Sequence, residues 1–380
     1  MTNALLVEAA ERWGTPLYVT DLDRASANAR AWADALPGAL VAYAVKANPD
    51  PALLRRLAVE GIGAEVVGPV ELALALRAGM LPERIVVNGV GQTDADLRAA
   101  AATGALVNAE SPGALDALLD APNGRIGLRV NPALDTGTHP HLATGSASSK
   151  FGLALDELDE AFERVRRSGR RLTSIGAHIG SDIGEAATFA RLAERMVGLA
   201  DAARTDRLDL GGGFAGDPRA WAEAVRPFVN PARLIVEPGR SIAAEAGWLL
   251  ARVVRVQARG HLVTDAGMTE LLRPMLYGAE HPVELLAPGA RLPPRDAWTV
   301  SGPVCEAGDV LARGVALGPE AGEGALLAIH SVGAYGAAMS SNYNGRLRPA
   351  EAVIEHGELR LSRRRETLED LLAREGTPGA

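Results

Sequence analysis

A (β/α)8 TIM-type barrel joined to a second, mainly β domain is the fold that this 380-residue chain predicts. Eight short apolar runs carry the prediction, at 38–45, 63–67, 84–89, 105–110, 125–131, 173–180, 207–213 and 233–239. Each is rich in Val, Ile, Leu or Ala and flanked by Gly, Asn or Pro, as parallel strands buried on both faces are. Between most of them lies a segment of helical period, such as Pro51-Ala52-Leu53-Leu54-Arg55-Arg56-Leu57-Ala58, so a βα unit repeats eight times. A doubly wound α/β sheet is the competing arrangement. After residue 245 the helical period thins, and strand-like segments follow at 248–257, 297–304, 325–335 and 351–361. The segment Thr15–Thr20 has the same character. The barrel is therefore expected over 24–245, and the β domain over 1–23 and 246–380.

Barrels of this kind place their chemistry at the C-terminal ends of the strands, and the polar residues fall there. Lys46 follows the first run, Glu65 lies in the second and Asn88 after the third; Glu110 and Asn131 end the fourth and fifth. His178 and Ser181 close the sixth, Gly211-Gly212-Gly213 the seventh, and Glu237 with Arg240 the eighth.

The bulk properties exclude several classes. A net charge of −8 argues against a nucleic-acid binder or a polybasic membrane anchor. The basic cluster Arg164, Arg166, Arg167, Arg170 and Arg171 follows five acidic residues and reads as a solvated helix end. One cysteine permits no intrachain disulfide, and the start of the chain lacks the pattern of a signal peptide, so a cytoplasmic location is expected. No metal site is expected; His139-Pro140-His141 is the nearest pair and reads as a loop.

The single cysteine, Cys305, stands in Gly302-Pro303-Val304-Cys305-Glu306-Ala307-Gly308-Asp309, a thiol beside a carboxylate in a glycine-bounded loop. Lys46 ends an apolar strand, where a lysine is suited to forming an imine with an aldehyde. The pair suggests a lysine that holds a cofactor and a thiol that handles a proton. A triple glycine alone reads equally well as a tight turn, but Arg240 in Glu237-Pro238-Gly239-Arg240 puts a planar cation on the same rim and favours a phosphate there. Glu237 set against a pyridine nitrogen would keep that ring protonated, whereas a salt bridge to Arg240 is its ordinary alternative. His178 could stack on a flat ring or be a satisfied core histidine.

These segments resemble the fold-type III pyridoxal-phosphate decarboxylases, and among them the branch acting on meso-2,6-diaminopimelate. The likeness runs nearly end to end. It includes Tyr43–Asn48, Gly137–Pro140, Ser149–Gly152, His178–Ser181, Gly211–Gly213, Glu237–Arg240, Asp265–Met268, Arg273–Gly278, Cys305–Asp309, Gly333–Gly336 and Met339–Asn344. The resemblance implies that pyridoxal 5'-phosphate is linked to Lys46 and flanked by His178, with Glu237 at the ring nitrogen. Gly211, Gly212, Gly213, Ser181 and Tyr335 would hold its phosphate, with Pro238, Gly239 and Arg240 completing the cofactor site. Arg240, Arg273, Tyr277, Glu306 and Tyr335 would hold substrate, and Cys305 would return a proton after CO2 leaves, giving L-lysine. It also implies a homodimer in which Cys305 and Glu306 reach the partner's active site. The chain departs from the family pattern at Glu65 (usually aspartate), at Gly68 and at Gly176 (usually histidine). A decarboxylase of another diamino acid or of a carboxylated polyamine is the near alternative. A racemase fits Cys305-Glu306 poorly, and a non-catalytic cofactor carrier has no need of Arg273, Tyr277 and Glu306.

Overall fold

The computed structural model describes residues 2–134, 145 and 149–375; the segments Gly137–Pro140 and His139–His141 lie outside them. The chain forms two compact units, one of Met1–Ala25 with Ala243–Ala380, the other of Ser26–Ile242.

Strand β1 (Leu17–Asp21) belongs to the first unit. The second holds β2 (Leu40–Ala44), β3 (Gly63–Val66), β4 (Ile85–Val87), β5 (Leu106–Ala109), β6 (Arg125–Arg129), β7 (Leu172–Gly176), β8 (Arg207–Asp209) and β9 (Leu234–Val236). All eight are parallel and close into a barrel, with Leu40 opposite Ile235 where β9 meets β2. Each of the eight expected runs overlaps one strand, with β7 beginning one residue before its run, but the strands stop short of the runs' C-terminal ends. Those last residues leave the ladder to build loops.

Leu40 and Ala42 on β2, Val86 on β4, Leu106 on β5 and Ile235 on β9 form one buried cluster. Neither β2 nor β9 is a ladder neighbour of β4 or β5, so these side chains meet through the barrel interior. Proline opens four of the surrounding helices, Pro51–Val59, Pro69–Arg77, Pro112–Leu119 and Pro218–Val225, where its missing N–H and fixed φ cost nothing. Asp50, Ser111 and Asp217 cap three of them with side-chain oxygens. The helix Leu158–Arg167 ends in the basic cluster: Arg164 pairs along it with Glu160 at 2.6 Å and Arg167 with Glu163 at 2.8 Å, while Arg170 and Arg171, past its end, reach the Ala121 and Gly124 carbonyls and Asp206.

The other unit adds β10 (Gly247–Gln257), β11 (His261–Thr264), β12 (Val283–Ala287), β13 (Trp298–Ser301), β14 (Val310–Val315), β15 (Leu326–Ile329), β16 (Ala350–Glu355) and β17 (Glu358–Arg363). With β1 they make a nine-stranded sheet in which β10 pairs with β1, β11 and β15. Alternation sorts its side chains: Tyr18, Leu249, Ala251 and Leu327 enter one core, while Leu17, Val19, Leu250 and Leu326 enter another under the helix Thr2–Trp13. The expected strand 351–361 is a hairpin, turned at His356 and Gly357 with φ of 54° and 79°. The expected strand 325–335 ends at Ile329, because Ser331 and Tyr335 take φ of 57° and 58°. Strands β11, β12 and β14 were not legible: they are short or partly exposed, so their apolar alternation is diluted.

Candidate active site

In the barrel unit, Lys46 rides on a single 3-10 turn, Val45–Ala47, directly after β2. Its ammonium pairs with Glu65, whose carboxylate is buried while the lysine remains partly open. Beside them Asn88 donates its amide to Glu237 at 2.7 Å and to Glu65 at 3.2 Å. Glu237 is buried with Asp209, and burial, then repulsion from Asp209 and Glu65, raises its pKa well above the carboxylate range. Burial likewise lifts Asp209 to about 6. The void bounded by Asn88, Arg129, His178, Asp209 and Glu237 is only about 10 Å³. This is a packed acid cluster.

His178 accepts the Gly212 backbone N–H on Nδ1 at 3.0 Å, which leaves any ring proton on Nε2. Burial, then the charges of Arg129 and Lys46, pushes its pKa well below the usual histidine value. The imidazole is neutral and fixed in orientation.

The glycine triplet is dictated by close approach. A Cβ on Gly212 would collide with the Glu237 carbonyl, and one on Gly213 with that of Gly180. Gly211 and Gly213 also have φ of 66° and 95°. The turn is tied back by the Gly211 N–H donating to Asp209 at 2.9 Å. On the same rim Arg240 donates to the Ser181 hydroxyl at 3.3 Å. The Pro238 carbonyl accepts from Ala44 N–H at 3.1 Å, and Gly239 lies against Ala44 and Ala47. The rim therefore gathers Lys46, His178, Ser181, Gly211–Gly213 and Glu237–Arg240.

The structure places two of the residues that depart from the family pattern. A Cβ at Gly176 would stand 2.5 Å from Asp209 Cβ, so the buried aspartate leaves no room for a side chain there. Glu65 supplies the carboxylate that meets Lys46. Asp209 and Arg129 went unnoticed in the sequence reading. Their signal is a charged residue inside an apolar run, Leu208-Asp209-Leu210 and Leu128-Arg129-Val130.

In the sheet unit, Arg273 is buried at the start of the helix Arg273–Tyr277, its guanidinium 5.6 Å from the Tyr277 ring centre and 6.0 Å from that of Tyr335. Cys305 is exposed, and its neighbour Glu306 accepts from the Tyr343 hydroxyl at 2.6 Å. Asp309 fixes this loop by accepting from Val304 N–H at 2.7 Å and Met268 N–H at 2.6 Å. A Cβ on Gly302 or Gly267 would strike the Asp309 carboxylate, which explains both glycines. Gly308 packs on Met275, so the thiol loop lies against the helix that carries Arg273 and Tyr277.

Among the described residues there is no group of three or more His, Cys, Asp or Glu placed to hold a metal, and no helix long and apolar enough to cross a membrane. The donors that converge in the barrel are an amine, a neutral imidazole, a bare-backbone turn and an acid with a raised pKa. That set fits an anionic, aldehyde-bearing aromatic cofactor with a basic ring nitrogen.

Comparison with known proteins agrees. Residues 22–244 match the family model described as "Pyridoxal-dependent decarboxylase, pyridoxal binding domain". The chain is 43% identical to the diaminopimelate decarboxylase of Deinococcus radiodurans, over 99% of both chains. It is 37% identical to that of Zymomonas mobilis, over 97% of this chain and 94% of the relative. The crystal structure of diaminopimelate decarboxylase from Helicobacter pylori complexed with L-lysine superposes with a TM-score of 0.91 at 31% identity, covering 97% of this chain and 98% of that one. In sequence and in fold, the chain belongs to the diaminopimelate decarboxylases of the pyridoxal-dependent decarboxylase family.

Proposed function

We propose that this chain decarboxylates meso-2,6-diaminopimelate to L-lysine and CO2 with pyridoxal 5'-phosphate as cofactor, acting in the cytoplasm as a homodimer. The observation that carries the reading is the 43% identity to a diaminopimelate decarboxylase along 99% of the chain, on a barrel rim whose donors suit that cofactor.

When bound, pyridoxal phosphate supplies an aldehyde that links to amines and a protonated ring that takes up the electron pair freed as a carboxylate departs. Lys46 provides the protein's amine, and Glu65 holds it at the strand end. Gly211, Gly212 and Gly213, with Ser181, bind the phosphate; Pro238, Gly239 and Arg240 shape the same rim. His178 flanks the ring, and its neutrality spares a cationic ring the repulsion of a second positive charge. Glu237, an acid with a raised pKa, holds a proton for the ring nitrogen.

From the sheet unit, Arg273 grips the substrate's distal carboxylate with a planar fork, aided by Tyr277, while Glu306 attracts the distal ammonium. Cys305 delivers a proton to the carbon that has lost CO2. The homodimer reading rests on the family resemblance and on the exposure of Cys305. A single thiol in the chain accords with a reducing compartment.

The test is CO2 release from meso-diaminopimelate, L-ornithine and L-lysine by the cofactor-loaded protein. A buried guanidinium discriminates strongly against substrates without a distal carboxylate, so kcat/KM should favour diaminopimelate by at least about a hundredfold. Equal turnover of L-ornithine would remove Arg273 from substrate selection.

A further inference from the structure

Five polar side chains from separate parts of the barrel are joined in one buried network. Ser174 on β7 donates its hydroxyl to Asn108 Oδ1 at 3.3 Å. Asn108 on β5 donates its amide to Asn88 Oδ1 at 2.8 Å. Asn88, just past β4, donates in turn to Glu237 Oε1 at 2.7 Å and to Glu65 Oε1 at 3.2 Å. Ser174, Asn108, Asn88, Glu65 and Glu237 are all buried.

The direction of this line is fixed by chemistry. Glu65, paired with the Lys46 ammonium, faces Asn88 as a carboxylate, so the NH2 side of the amide must point to it and to the neighbouring Glu237 oxygen. Asn88 Oδ1 must then find a donor, which Asn108 provides, and Asn108 Oδ1 must find another, which Ser174 provides. Reversing one amide would leave buried acceptors facing each other. Space for the line is made by Gly127 on β6, the strand between β5 and β7. A Cβ there would fall on both Asn108 Oδ1 and Ser174 Oγ, although the φ of Gly127 is not in the left-handed region. Gly127 is needed for room and not for conformation.

We propose that Asn88 is a positioning residue for Glu237: its amide, held in one orientation by Asn108 and Ser174 across the bare Gly127, sets how Glu237 presents its carboxyl to the ring nitrogen of the bound cofactor. The proposal rests on the reading of Glu237 as the partner of that nitrogen. Asn88 touches neither cofactor nor substrate in this scheme; it acts through Glu237.

The test compares two probes, pyridoxal 5'-phosphate and its 1-deaza analogue, in which CH replaces the ring nitrogen. Each is titrated by absorbance into cofactor-free full-length protein. Asn88→Ala should weaken pyridoxal phosphate about tenfold, as expected for a lost hydrogen bond to an ionisable partner, and change the Kd of the analogue less than about twofold. Equal weakening of both probes, or of neither, overturns the proposal and leaves Asn88 a packing residue. If Asn88→Ala does not fold, Asn108→Ala removes the donor to Asn88 Oδ1, along with the acceptor for Ser174, while leaving Asn88 in place; it should show the same preference for one probe at about threefold, and no preference there overturns the proposal. Glu237→Gln separates the two levels. If it discriminates between the probes and the asparagine variants do not, the positioning role fails while the reading of Glu237 stands. If Glu237→Gln does not discriminate either, both fail.

Discussion

Asp209 is a carboxylate inside an apolar strand, and its burial sets a pH dependence whose sign can be worked out. Its pKa is lifted to about 6 in the folded protein, above the unfolded value of about 3.9. Between these values the folded chain keeps a proton that the unfolded chain has released. The stability owed to this group is therefore fullest below the unfolded value and is lost as pH rises through about 6. Asp209→Asn keeps an acceptor for the Gly211 N–H but cannot ionise. In urea denaturation of cofactor-free protein, the fall in stability from pH 5 to pH 7.5 should be smaller in the variant by roughly 1–2 kcal/mol. Equal falls would assign the titration to another group. Lys46, His178 and Glu237 were legible because each interrupts an apolar run at its end. Asp209 was not, since a charged residue one position earlier looks like noise in a strand until its partners are seen.

The loops after the strands carry the residues proposed for the chemistry, and their lengths explain the difference between expected and observed strands. The run 207–213 reads as one apolar stretch, yet the ladder ends at Asp209 and the remaining residues form the glycine turn. Apolar character cannot mark that boundary, because the turn is as buried as the strand. The glycines can mark it, since the turn needs positive φ at Gly211 and Gly213 and bare contact with the Glu237 and Gly180 carbonyls. Gly213→Ala should therefore weaken pyridoxal phosphate binding at least about fivefold, reflecting about 1–3 kcal/mol of backbone strain in a turn that must still offer its N–H groups. Fluorescence titration of the cofactor checks this. Unchanged affinity would move the phosphate off this turn. In the sheet unit the long central strand β10 was legible, whereas the partly exposed β12 and β14 carried too little alternation to be read.

Lys46 and Cys305, the two residues proposed to be indispensable to turnover, belong to different compact units. The division was foreshadowed by the change in texture near residue 245, where helical period gives way to short strands separated by Gly and Pro. If active sites are shared between subunits, Lys46→Ala and Cys305→Ala proteins, each inactive alone, should regain part of the activity when mixed and allowed to exchange chains. No recovery, with chain exchange shown by mass labelling, would mean that each chain works by itself. The most direct measurement of the central claim is chiral identification of the product after meso-diaminopimelate is mixed with protein loaded with pyridoxal phosphate. L-lysine formed catalytically, in equal amount to CO2 and absent with Lys46→Ala, is the predicted result. Protein that shows the visible band of the bound cofactor yet makes no lysine would contradict it.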